Sequence, residues 1–334
     1  MSLSVGFVDD MGVARTNVSG ACNSVTMANY NIFTNPITEQ KPPWLKIKLP
    51  TGNEISKYER VKQLTKSKRL HTICVEAKCP NLNECWSGGT ATFLLMGDVC
   101  TRYCRFCHTK SARNGVPMRD LEEEPAHLAD AVDEMKLEYV VLTSVDRDDL
   151  ADQGSKHFAT CVNAVKTKTP KVKVELLIGD FRGDEGCLKT VVASGAEVIG
   201  HNVETVERLQ ATVRDRRANY QQSLGVLSKI KKLNPALYTK TALMLGLGET
   251  DEEIEKTMDD LRAINCDIIT FGQYLQPSKR HIVVQSYVAP EKFAYWQKIA
   301  EKKGFLYCAS GPYVRSSYRA GEFFMKGIIG RKQA

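Results

Sequence analysis

Thr92-Phe-Leu-Leu-Met-Gly-Asp-Val-Cys-Thr-Arg-Tyr-Cys-Arg-Phe-Cys107 is the stretch on which the fold turns. Ala91–Met96 is small, β-branched or apolar throughout and predicts a short buried strand. The strand runs straight into Cys100, Cys104 and Cys107, spaced Cys-x3-Cys-x2-Cys, with the aromatic Phe106 before the last. A second trio, Cys74, Cys79 and Cys85, spaced Cys-x4-Cys-x5-Cys, lies just upstream. Six of the eleven cysteines therefore crowd one short stretch, and chance would rarely place them so.

The cysteine number is odd, and no basic start with an apolar centre marks a secretory leader, so metal or redox use in a reducing compartment is expected over disulfides. Asp9, Asp10 and the sparse basic residues before Lys41 favour a cytoplasmic address, an organellar matrix being the alternative if residues 1–40 are a targeting segment. A net charge of +7 is dispersed among acidic residues in no long basic block, which argues against nucleic acid. An acidic protein partner and a simple solvated basic surface fit that charge equally. No apolar run approaches the length of a membrane span.

Downstream of the cysteine run the chain alternates. Strands are expected at Tyr139–Thr143, Val172–Ile178, Glu197–Gly200, Tyr238–Leu245 and Asp267–Phe271. Helices are expected near Pro125–Lys136, Lys156–Lys168, Glu185–Ala193, Val206–Val213, Gln221–Lys232 and Asp251–Ile264, the last opened by a Thr250/Glu253 capping box. Six strand–helix units imply parallel strands with right-handed crossovers. They are too few to close an eight-stranded barrel, so a partial (βα)6 TIM-type barrel is preferred over a doubly wound sheet. Its site belongs at the C-terminal ends of the strands, where the run to Cys107 lies. Residues 1–40 read as a poorly ordered extension, 41–90 as a segment carrying the first cysteine trio in loops or short turns after a helix at Glu54–Leu70, 91–289 as the barrel, and 290–334 as a C-terminal segment with a helix at Pro290–Lys303 and a basic tail.

Three thiolates on a four-iron cluster leave one iron open to a chelating ligand. A zinc site normally takes four ligands, often as paired Cys-x2-Cys units, and no second pair accompanies Cys104 and Cys107. A dithiol at Cys104 and Cys107 would leave Cys100 and the upstream trio unexplained. The spacing with Phe106 resembles the radical S-adenosylmethionine superfamily. Both trios together with Gly89–Phe93, Thr143–Asp149, His201-Asn-Val-Glu204, Leu245–Thr250, Gly272–Ser278 and Arg315-Ser-Ser-Tyr318 resemble lipoyl synthase over about residues 42–320. Runners-up are a methylthiotransferase or biotin-synthase-like enzyme, and a non-catalytic iron–sulfur or zinc module.

The resemblance implies two 4Fe-4S clusters and S-adenosyl-L-methionine. Cys100, Cys104 and Cys107 would hold the radical-generating cluster. Cys74, Cys79, Cys85 and Ser317 would hold an auxiliary cluster, whose sulfur is inserted at C6 and C8 of an octanoyl chain on a lysine of a lipoyl carrier protein. Cys100, Cys104, Cys107 and Ser317 would then be the residues on which the chemistry most directly depends. Phe106, Ser144, Asp146, Asn202, Glu204, Gly246 and Gly248 would contact the cofactor. Taken alone, each of these has a plainer reading: Ser316 and Ser317 as a turn or cap, Ser144 and Asp146 as a capped strand end, Asn202 and Glu204 as strand-end caps, and the glycines as a common loop. His201 reads as structural, since hydrogen abstraction by a radical needs no general base. An electron donor such as ferredoxin or flavodoxin and an iron–sulfur carrier are implied partners. His108 and Asp215-Arg216 depart from the family's usual acid and Pro-Gly. The other cysteines, Cys22, Cys161, Cys187, Cys266 and Cys308, carry no motif and read as core or incidental.

Overall fold

The computed structural model describes residues 41–45, 53–87 and 91–317. The N-terminal extension, Cys22, Gly89, Tyr318 and the basic tail lie outside them. After a single turn at Pro43–Leu45 come α1 (Asn53–Ser67), β1 (His71–Thr72), α2 (Ile73–Glu76), α3 (Leu82–Ser87), β2 (Thr92–Leu95), β3 (Val99–Cys100) and β4 (Lys110–Ser111). There follow α4 (Glu124–Glu134), β5 (Tyr139–Ser144), α5 (Ser155–Lys168), β6 (Lys173–Leu177), α6 (Glu185–Val192), β7 (Val198–Gly200) and α7 (Gln210–Val213). The chain continues with α8 (Tyr220–Leu233), β8 (Tyr238–Leu245), α9 (Asp251–Ala263), β9 (Ile268–Gln273), α10 (Pro290–Lys302) and β10 (Tyr307–Gly311).

The main sheet runs β1-β2-β5-β6-β7-β8-β9-β10, every pair parallel except β1 with β2. This order never reverses direction, which excludes the doubly wound alternative, because that topology requires a switch point. Among the described residues no pairing joins β1 to β10, so the sheet stays open as a partial barrel does. The six expected strands are present, and β10 adds a seventh parallel strand from the C-terminal segment.

Two local expectations need correction. The first cysteine trio is only partly in a turn: Cys74 lies in α2 and Cys85 in α3, short helices packed on α1 through Val61 and Trp86, while Cys79 lies in the turn between them. The helix expected over Val206–Val213 begins with a tighter turn at Glu207–Leu209, and Gln210 turns its amide back to the Val203 and Thr205 carbonyls. The capping box at Thr250 is formed as expected.

The strands are buried along nearly their whole length, as parallel strands covered on both faces must be. Leu128, Val132, Phe158, Val162 and Leu188 pack α4, α5 and α6 onto one half of the sheet; Met258, Leu261, Phe293 and Trp296 cover the other half. Inside, the Lys240 ammonium is bonded to both Glu175 oxygens at 2.7 and 3.0 Å, and the Tyr139 hydroxyl donates to the same carboxylate. A buried lysine is tolerated there because its charge is paired.

Candidate active site

Both cysteine trios border one cavity of about 920 Å³. Phe106, Ser144, Asp146, Asn202, Glu204, Ser316 and Ser317 line it as well. Thirteen positions separated by up to 243 residues in the sequence, Cys74 to Ser317, thus share one space. Gly246 and Gly248 are not brought to it. A Cβ at Gly246 would meet the Gln273 amide nitrogen at 2.3 Å and the Ser286 carbonyl at 2.4 Å, so this glycine permits packing of the chain against itself.

The first trio sits beside the open edge of the sheet. β1, laid antiparallel on β2, delivers the chain to Cys74. From the far side of the sheet comes the segment after β10. The Asn81 side-chain amide donates to the Tyr313 carbonyl at 2.6 Å and ties the two chain ends together. Gly272 lets that segment approach, since a Cβ there would lie 2.0 Å from the Val314 carbonyl oxygen. Arg315 is held by the Val314 carbonyl at 2.7 Å, and its charge bears on the Cys79 thiol.

The second trio is held by charge. Arg102, 3% exposed, donates to Asp180 at 2.6 Å through two nitrogens and to Asp148 at 2.9 and 3.0 Å. Burial pushes the Asp180 carboxyl up, but the Arg102 bonds outweigh it and hold the group well below the usual carboxylate range. Thr101 donates to the Asp146 carbonyl at 2.9 Å, and His281 bonds the Cys107 carbonyl at 3.0 Å. Sequence reasoning does not single out Asp180, His281 or Asn81, which the structure brings against the two trios. Their signal was weak: Asp180 stands at a strand end and Arg102 inside the cysteine run, but pairing across loops has no period to read.

Burial pushes the Cys100 thiol up to about 12 and the Cys74 thiol up to about 11; Cys79, Cys104 and Cys107 are raised for the same reason. Such thiols become ligands only when a cation offsets the burial. Among the described residues, the triads of ligating atoms lying within 4.8 Å of one another are Glu124–His157–Cys161 and His71–Glu76–Asp98. Neither contains a member of the two cysteine trios. One zinc ion would draw three sulfurs to about 3.8 Å apart, given a Zn–S bond of about 2.3 Å. The wider spread suits a multi-iron cluster.

Contacts for a polar ligand are also in place. The buried Asn202 Oδ1 has no hydrogen-bond partner. Glu204, raised by burial, occupies the left-handed region at φ 70°, a strain that a non-glycine residue retains where its side chain is needed. Asp146, also raised by burial, reaches about 6. His201 bonds Ile178 O and Ser223 Oγ, each at 3.0 Å, and burial lowers it to about 4, in keeping with a structural role.

Residues 94–261 match the model of the radical SAM superfamily, and residues 25–79 match the N-terminal domain of lipoyl synthase. The lipoyl synthase of Myxococcus xanthus is 55% identical over 89% of this chain and 97% of its own length. This chain belongs to the lipoyl synthase family. The mitochondrial lipoyl synthases of Aedes aegypti (54% identical, 86% of this chain and 73% of that protein) and Rattus norvegicus (52%, 87% and 78%) are similar to it too. In fold it resembles methylornithine synthase, with a TM-score of 0.51 at 14% identity over 74% of this chain and 70% of that one. It also resembles an FeFe-hydrogenase maturase from Carboxydothermus hydrogenoformans, with a TM-score of 0.50 at 12% identity over 82% and 80%. Family membership makes it a sulfur-inserting radical enzyme that uses S-adenosylmethionine and a 4Fe-4S cluster and acts on a lipoyl carrier protein.

Proposed function

We propose that Cys100, Cys104 and Cys107 hold the cluster that binds S-adenosylmethionine, and that Cys74, Cys79, Cys85 and Ser317 hold a second 4Fe-4S cluster that donates sulfur to C6 and C8 of an octanoyl-lysine. The observation that carries this reading is the single cavity bordered by both trios and Ser317. When bound, the first cluster supplies an electron for sulfonium cleavage and the second supplies sulfide.

The residues of the chain divide the remaining work. Asn202 would offer an unpaired acceptor to a cofactor hydroxyl, and Ser144, Asp146 and Glu204, with Phe106 in the same cavity wall, would meet the cofactor's polar atoms. Val141, Leu177 and Ala242 give the cavity an apolar stretch for the acyl chain. Ser317 would supply a hard oxygen donor beside three soft thiolates, and an iron held that way would be the easiest to release. Segments 41–90 and 290–334 serve the donor cluster, and 91–289 serves radical generation.

A ferredoxin- or flavodoxin-type donor and an iron–sulfur carrier complete the cycle. No described helix is long and apolar enough to cross a membrane. The mitochondrial names of the Aedes aegypti and Rattus norvegicus relatives support a matrix address over the cytoplasmic one that Asp9 and Asp10 favour. The test is anaerobic cluster reconstitution followed by incubation with S-adenosylmethionine, reductant and an octanoyl-lysine peptide. A dithiolated peptide by mass spectrometry is expected; deoxyadenosine without it would overturn the substrate.

A further inference from the structure

The segment Val213–Arg217 lies along the Thr101–Arg105 loop and is bonded to it at successive points. The Arg105 amide donates to the Val213 carbonyl at 3.0 Å and the Tyr103 amide to the Asp215 carboxylate at 2.9 Å. The Arg217 guanidinium donates to the Thr101 carbonyl at 2.6 Å and to Asp215 at 2.8 Å. The Asp215 backbone N–H, in turn, donates to the Cys104 sulfur at 3.3 Å. Asp215 is 7% exposed, so these bonds face little competition from water. One residue therefore fixes the cysteine loop with its side chain and touches a sulfur with its backbone.

We propose that Asp215 is a positioning residue for the radical cluster: its carboxylate preshapes the cysteine loop through Tyr103 and Arg217, and its N–H to Cys104 raises the cluster's reduction potential. The inference rests on the reading that Cys100, Cys104 and Cys107 hold that cluster. Potentials of such clusters depend on hydrogen bonds to their sulfurs, because a donor stabilises the more negative, reduced state. The Asp215 charge is largely offset by Arg217, which leaves the N–H as the principal electrostatic contribution of this residue.

The test uses the full chain with Cys74, Cys79 and Cys85 replaced by alanine, so that one cluster is observed. After anaerobic reconstitution, the potential is followed by electron paramagnetic resonance, and exchangeable protons coupled to the cluster by electron–nuclear double resonance in D2O. Asp215→Asn keeps the N–H and a side-chain acceptor, should keep the coupling, and gives the reference potential for a chain whose Arg217 has lost the Asp215 charge. Asp215→Pro lacks both the carboxylate and the N–H, and should lose the coupling and show a potential more negative than that of Asp215→Asn at equal iron content. Equal potentials in fully loaded Asp215→Pro and Asp215→Asn proteins would overturn the proposal, as would absence of an exchangeable coupling in the parent. If circular dichroism shows that the proline variant does not fold, Asp215→Ala serves instead, with the coupling retained and reconstitution several-fold slower. Reconstitution at the parental rate would refute the positioning role. Failure of the parent to take up iron would refute the cluster reading itself, which the iron assay distinguishes.

Discussion

The two cysteine trios share a cavity but are built differently. Cys100, Cys104 and Cys107 sit in a loop locked from several sides: Arg102 to Asp148 and Asp180, Thr101 to Asp146, Cys107 to His281, and the segment at Asp215. Cys74 and Cys85 sit on short helices and Cys79 in the turn between them, packed by Val61 and Trp86 and linked to the C-terminal segment through Asn81. Preorganisation in a charged network suits a site that must return to one geometry at each turnover. A site assembled from two segments distant in sequence suits a group that, under the proposed function, would be dismantled and rebuilt.

The sharpest break between the two regions should come from the ligands. Cys100→Ala, Cys104→Ala or Cys107→Ala should abolish reductive cleavage of S-adenosylmethionine, measured as deoxyadenosine. Cys79→Ala should keep that cleavage and lose the dithiolated product. Lipoyl product from the Cys79 variant would erase the distinction.

Next in size is the charged network. Arg102→Met leaves Asp180 buried without its partner, and removing one member of a buried pair costs about 3–5 kcal/mol. Urea unfolding of the metal-free protein reads this directly, and a loss below about 1 kcal/mol would mean that the loop is not locked by charge.

Acid should strain the same region. The His201 pKa is lowered by burial from 6.5 to about 4, so the unfolded chain takes up its proton first. Its contribution is intact above pH 6.5 and is lost as pH falls toward 4, up to about 3 kcal/mol in all. His201→Asn should flatten that part of the stability–pH curve.

The smallest effect concerns the upstream trio. Asn81→Ala removes one bond to Tyr313 and should cost about 1 kcal/mol in overall stability. It should also speed iron loss from the first trio while leaving the second intact, which selective chelation would show. Equal loss from both would argue against a separately dismantled site.

Sequence alone determined the strand–helix alternation, both cysteine spacings and the capping box at Thr250, because each is a local pattern in residue type. It also carried the family, since quoted motifs stand unbroken along the chain. It did not show β10, whose short, mixed Tyr307–Gly311 becomes a strand only by pairing with β9. Nor did it show the helices under Cys74 and Cys85, which depend on packing against α1. The contacts of Arg102 with Asp180, of Asn81 with Tyr313 and of Asp215 with Cys104 join residues 78, 232 and 111 positions apart. Hydrogen bonds and ion pairs form by proximity in space, and only the folded barrel brings those groups within reach.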